Sequence, residues 1–132
     1  TALDVLAPAL GADDIAWYSL QVGPASADAA ARSDIEDLAP RLGDFADTAA
    51  AIGGLDLVIS IDTAVAHLAG ALGAPVWVML SHGGDWRYGR TGTACPWYPG
   101  MRLYRQPAPG DWDAVIKAIL ADLADPANAP AR

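Results

Sequence analysis

Residues 57–61 are apolar and partly β-branched apart from Ser60, with no alternation of polar and apolar positions, the pattern of a strand covered on both faces. The run breaks at Asp62-Thr63 and gives way to an Ala-rich stretch, 63–72, in which His67 is the only strongly polar side chain. That change of pattern predicts a helix capped by Asp62, stopped by Gly73 and prevented from resuming by Pro75. Residues 76–80 then read as a second buried strand, so 57–80 is a β-α-β unit with a right-handed crossover. The rest of the chain is organised around it.

Before this unit, Leu3, Leu6 and Leu10 fall at helical spacing, predicting a short amphipathic helix interrupted near Pro8 and closed by Gly11. Residues 15–20 form an aromatic and aliphatic strand that ends at Gln21-Val22-Gly23-Pro24, 25–32 a short Ala-rich helix, and 35–38 a brief edge strand flanked by acids. Asp44 is placed to cap a helix through Ile52, with Asp47 reinforcing its N-terminus and Gly53-Gly54 ending it. After Leu80 comes the longest irregular segment, 81–100, with five glycines, two prolines and the aromatics Trp86, Tyr88, Trp97 and Tyr98. A loop of that length with that many rings reads as a binding surface. Residues 101–104 are the last strand, and Asp111 caps a final helix whose Val115, Ile116, Ile119, Leu120 and Leu123 make one apolar face. The lobe thus runs over residues 1–125, and 126–132 is an Ala/Pro-rich tail expected to fray.

Alternation of strand and helix along the whole length predicts an α/β, Rossmann-like three-layer sandwich with a mainly parallel sheet. Ligands of such sheets bind outside the carboxyl ends of the strands. The loops there are 21–26, 62–65, 81–100 and 105–111, and they hold the polar residues of interest.

Composition narrows the function classes. The chain has 132 residues, 53% of them hydrophobic, enough for one domain with its own core. A formal net charge of −8 argues against a nucleic-acid or anionic-membrane surface. Positive charge is nearly all arginine, concentrated between Arg87 and Arg105, which leaves room for a small anionic ligand held locally. Cys95 stands alone before Pro96 with no flanking base, so it reads as an inert structural thiol, and a reducing cytoplasm is the expected location. No basic segment followed by an apolar one opens the chain, so no signal peptide is expected. His67, Gly70, Gly73 and Pro75 divide the apolar span 64–80 into helix and strand, so no membrane span is expected either.

The free N–H groups of Thr63, Ala64 and Val65, with the Thr63 hydroxyl, can hold a phosphate oxygen, and His67, one turn on, faces the same side. The plainer alternative is that Asp62 merely caps the helix and His67 is a satisfied core histidine. The long loop offers Ser81, His82, Asp85, Trp86, Arg87 and Arg90, with Gly83-Gly84 allowing close backbone approach. Its rings can stack a base or a sugar, or simply plug the loop onto the domain. Arg105 and Gln106 close the last strand at the same edge. Nucleophile elbow, Walker, dinucleotide and zinc motifs are absent, which leaves a small hydrolase without a nucleophile.

The run DLVISIDTAVAHLAGALGAPVWVML, followed by DWRYG, PWYPGMRLYRQ and PGDWDAVI, resembles the C-terminal half of heptosyltransferase-like family-nine glycosyltransferases, as fused to tetratricopeptide repeats in bacterial proteins. The resemblance implies a two-lobed GT-B enzyme that is metal-independent and transfers a sugar from a nucleoside diphosphate sugar with inversion. It implies that the positions matching Asp62, Thr63, Ala64, Val65 and His67 contact the diphosphate and sugar, with Gln21 and Gly23 near the donor. Heptosyltransferases often place a phosphate-binding lysine where this chain has Val22, a departure that bears on activity and on heptose as the sugar. The family's catalytic base and acceptor site belong to an N-terminal lobe, and a first strand that usually precedes the residues matching 3–10 has no counterpart. The expected function is therefore a donor-binding lobe that is inactive in isolation, or else a non-catalytic binding or scaffold module. A sheet lacking that strand is expected to close differently, to pair in a homodimer or to exchange a strand.

Overall fold

A strand without a single polar side chain is stable only when both faces and both edges are covered, and Val-Trp-Val-Met-Leu at 76–80 meets that condition at every position. The computed structural model describes residues 6–7, 10, 14–128 and 130. In chain order its elements are β1 (Tyr18–Ser19), α1 (Ala27–Ala30), β2 (Glu36–Asp37), α2 (Phe45–Gly53), β3 (Val58–Ile61), α3 (Ala64–Ala71), β4 (Val76–Leu80), β5 (Met101–Arg105) and α4 (Trp112–Ala124). Of the predicted opening helix, Leu3, Pro8 and Gly11 lie outside the described residues. Contacts group the chain into two units, Thr1–Thr48 and Ala49–Arg132, and α2 runs across the boundary.

In the first unit β1 and β2 pair in parallel, Tyr18 with Glu36 and Ser19 with Asp37. Both strands are shorter than the predicted 15–20 and 35–38. A 3-10 turn with Pro24 at its start, Gly23–Ser26, follows β1, and another with Pro40, Ala39–Arg41, follows β2. The carboxylate of Asp37 accepts the Ala39 N–H at 3.0 Å, turning the chain out of the ladder. Leu10, Ala29 and Ile35 form a small buried cluster with Trp17 packed on it. Asp44 caps α2 as predicted, accepting the Asp47 N–H at 2.9 Å, while Asp47 returns to accept the Gly43 N–H at 2.9 Å.

In the second unit β4 is the centre of a three-stranded parallel sheet ordered β3-β4-β5, with Val58 opposite Val76 and Val76 opposite Met101. α3 packs on β3 and β4, and α4 on β5. Asp111 caps α4 by accepting the Ala114 N–H at 3.1 Å, and Val115, Ile116 and Ile119 are buried beneath it. Tyr104 donates to Asp122 at 2.8 Å, Arg102 pairs with the same carboxylate at 2.7 Å, and Trp77 packs on the Tyr104 ring at 5.3 Å. Arg102 also donates to Asn128, and a 3-10 turn covers Pro126–Asn128 at the start of the tail. The strands fall into two parallel sheets, and the outer edge of β3 pairs with no strand among the described residues.

Leu103, 1% exposed, sits at the middle of the β4–β5 ladder opposite Val78. Leu103→Ala is expected to lower unfolding free energy by about 2–5 kcal/mol, seen as a fall in the urea midpoint at unchanged slope.

Candidate functional site

The chain leaves β3 at Ile61 and turns at Asp62, which does not cap the helix that follows. The N-cap is Thr63, extended at φ −143° and ψ 170°, and its side chain makes no capping bond. Asp62 is drawn off the cap because its carboxylate has better partners: the Tyr88 hydroxyl donates to it at 2.9 Å, His67 Nε2 lies 3.5 Å away and Arg87 Nη2 3.7 Å away. Ser60 donates its proton to the Ile61 carbonyl at 2.9 Å, so the Thr63 hydroxyl, 3.0 Å from Ser60 Oγ, donates to Ser60. The first-turn N–H groups of α3, those of Ala64 and Val65 among them, are thereby left without a side-chain acceptor among the described residues.

His67 is held at both nitrogens, Nε2 at 3.2 Å from the Tyr88 hydroxyl and Nδ1 at 3.3 Å from the Tyr98 hydroxyl. Tyr88 has one proton and gives it to the Asp62 carboxylate, so its oxygen accepts from Nε2–H. In the neutral ring Nδ1 then accepts from Tyr98. Four side chains thus form one directed chain, Tyr98 to His67 to Tyr88 to Asp62. The His67 and Tyr88 rings also stack, 5.9 Å between centroids, and Tyr98 meets His67 edge-on. Tyr98 reaches this place because Gly70, buried in α3, has no Cβ: one built there would stand 2.5 Å from the Tyr98 ring.

The 81–100 loop is tied down around the same tyrosine. Tyr88 is 1% exposed, and Arg105 at the end of β5 donates to its carbonyl at 2.6 Å and to that of Gly92 at 3.1 Å. Trp97 donates to the Arg87 carbonyl at 2.6 Å, although its ring is exposed. Arg87 grips Asp85 through two bonds of 2.9 Å, and those bonds, ahead of the Arg87 backbone N–H, hold the Asp85 carboxyl below its usual range. Gly89 ends the Trp86–Tyr88 turn at φ 69°, a conformation suited to glycine. His82 is pinned by Gln106, its N–H to Oε1 at 3.1 Å and its Nδ1 3.2 Å from the Gln106 carbonyl. Ser81 is exposed, its carbonyl accepting the Gly84 N–H at 3.0 Å. Trp86, 81% exposed, plugs nothing.

Of the residues singled out in the sequence, Asp62, His67 and Arg87 come together, with Thr63, Ala64 and Val65 at the adjoining helix start. Ser81, His82, Asp85 and Trp86 lie on the loop that follows β4. Gln21 and Gly23 belong to the first unit, where Gln21 is exposed and Gly23 opens a turn at φ 74°. Tyr88 and Tyr98 are the residues that sequence reasoning missed as members of the site. Gly70, a glycine inside an Ala-rich helix, was the available sign that something packs close there.

These features define an α/β protein with parallel sheets, consistent with a Rossmann-like fold, whose polar side chains gather where the strands of the second unit end. Residues 22–80, rather less than half of the chain, match the sequence model of glycosyltransferase family 9 (heptosyltransferase). Over 83 residues the chain is 36% identical to Protein FlbA of Caulobacter vibrioides, a stretch that takes in 62% of this chain and 13% of that protein. No solved structure matches the chain. Among the described residues no helix is long and apolar enough to cross a membrane.

Gly70→Ala is expected to push Tyr98 off His67 and to destabilise the fold by roughly 1–3 kcal/mol, measured by chemical denaturation. The hydroxyls give a pH signature. Burial first, then the Asp62 carboxylate, raise the Tyr88 phenol above its ordinary 10.0. A group with a raised folded value contributes stability that is complete below the unfolded pKa and is lost as pH rises beyond it. Stability should therefore decline above about pH 10, where unfolded tyrosine ionises, and decline less steeply in Tyr88→Phe.

Proposed function

We propose that this chain is the donor-binding lobe of a glycosyltransferase that uses a nucleoside diphosphate sugar, the diphosphate lying on the N-terminus of α3. One observation carries the reading: α3 starts at the carboxyl end of a parallel strand with no side chain among the described residues on its first-turn N–H groups, and the neighbouring carboxylate, Asp62, is turned away to Tyr88. An uncapped helix start with its positive dipole end open accepts phosphate oxygens. The N–H groups of Ala64 and Val65 would hold them, with Thr63 turning its hydroxyl from Ser60 to add a donor. Asp62 and His67, held by Tyr88 and Tyr98, stand beside that terminus, where this reading puts the sugar. The match of residues 22–80 to family 9 supports the same reading.

The finer features follow the family resemblance: a GT-B arrangement with an N-terminal lobe that supplies acceptor site and base, transfer with inversion, no metal, and a parent protein with tetratricopeptide repeats. On this reading the lobe alone binds donor and does not transfer the sugar, and the open edge of β3 takes a strand from the parent chain or a second copy. Val22 favours a second reading, a binding or scaffold module without catalysis, because it puts a half-exposed apolar side chain where heptosyltransferases often have lysine. Turnover of a nucleotide sugar by the intact parent chain separates the two.

Calorimetric titration with ADP, UDP and GDP tests the site. One diphosphate should bind saturably, and Thr63→Asp, which places a carboxylate cap on the same N–H groups, should weaken it at least about tenfold without loss of fold stability. Unchanged affinity in Thr63→Asp would remove the diphosphate from the α3 terminus.

A further inference from the structure

An open depression of about 680 Å³ lies on the 81–100 loop, with Gly84, Asp85, Trp86, Arg90 and Arg105 in its lining. None of the residues from 62 to 67 lines it. Its volume is in the range of pockets that hold sugars, nucleotides and compounds of similar size.

The charge in it is unbalanced. Asp85, the carboxylate of the lining, is already neutralised by Arg87. Arg105 is half-buried, and among the described residues its guanidinium is bonded only to the neutral carbonyls of Tyr88 and Gly92, which position it without cancelling its charge. Its Nη1 lies 3.5 Å from the point where a Cβ on Gly84 would stand. Arg90 is exposed and makes no hydrogen bond or ion pair among the described residues. Two uncompensated guanidinium groups in one concave site are notable in a chain of net charge −8, where carboxylate partners are plentiful. The overall negative charge acts weakly here, because at physiological salt it is screened over about 8 Å. Trp86 adds a flat ring, 81% exposed, on the same lining.

We propose that this depression binds an organic oxyanion, a carboxylate or phosphate monoester carried on a ring, with Arg90 and Arg105 pairing the anionic group and Trp86 lying against the ring. Guanidinium recognises both anions by the same two-pronged geometry. The site goes beyond the reading given for the α3 terminus and does not depend on it.

Calorimetric titration of the full chain with phenyl phosphate, benzoate, inorganic phosphate and phenol tests it. Phenyl phosphate or benzoate should bind saturably and phenol should not, the tighter of the two anions identifying the group that the arginines read. Arg90→Glu, at an exposed position that makes no hydrogen bond or ion pair among the described residues, should weaken the anion at least about tenfold, and Arg90→Lys should weaken it less. Trp86→Ala should cost the ring-bearing anions more than inorganic phosphate. Thr63→Asp should change nothing, so failure at the α3 terminus and failure here are read separately. Binding of phenol equal to that of the anions, indifference to Arg90→Glu, loss in Thr63→Asp, or no saturable binding of either anion would each overturn the proposal.

Discussion

The hydroxyl of Tyr88 has one proton, and where that proton goes decides the arrangement of the second unit's polar end. Given to Asp62, it pulls the carboxylate off the helix that Asp62 would otherwise cap, which leaves the α3 N–H groups open. With the proton spent, the Tyr88 oxygen accepts from His67 and thereby sets the tautomer of that ring. Because the tyrosine ring is buried, the same bond anchors the long loop, and Arg105 finds the Tyr88 carbonyl in place to hold. A buried hydroxyl bonded to a charge contributes roughly 1.5–3 kcal/mol. That magnitude exceeds the usual gain from an N-cap, typically about 1 kcal/mol, which is why the capping rule loses at Asp62.

Much of the secondary structure was legible because it rests on local patterns. The apolar runs at 57–61, broken only by Ser60, and at 76–80, the glycine and proline after α3, and the Asp44 and Asp111 caps each act within a few residues and lie where the pattern puts them, although β3, at the edge of its sheet, is only partly covered and ends in an exposed Ile61. Errors lie where a distant partner intervened. Asp62 reads as a cap until Tyr88, 26 residues further on, competes for it. The strands at 15–20 and 35–38 looked longer because side-chain composition says nothing of where a ladder loses its partner. The turn at Pro126–Asn128 has no local signal because the Arg102 bond to Asn128 comes from a strand.

The candidate site was half visible for the same reason. Asp62, Thr63 and His67 stand close together in sequence, and their juxtaposition follows from the strand-to-helix switch. Tyr88 and Tyr98 are placed by the course of an irregular loop, which no periodicity encodes. Gly70 marks the meeting place only in retrospect, when the ring against it is known. The depression beside Trp86 depends likewise on which arginine found a carboxylate and which did not among the described residues: Arg87 did, Arg90 did not.

The all-apolar β4 also has a consequence for the order of folding. Its neighbour β3 and the helix between them are close in sequence, so that half of its cover closes the shorter loop and costs less entropy to form. β5 arrives only after the long 81–100 loop has closed. In the interval one edge of Val-Trp-Val-Met-Leu, a short segment of high β-propensity with no charge and no proline, is open to any other extended chain. By this ordering, whatever speeds closure of the loop shortens the time for which that edge is open to self-association.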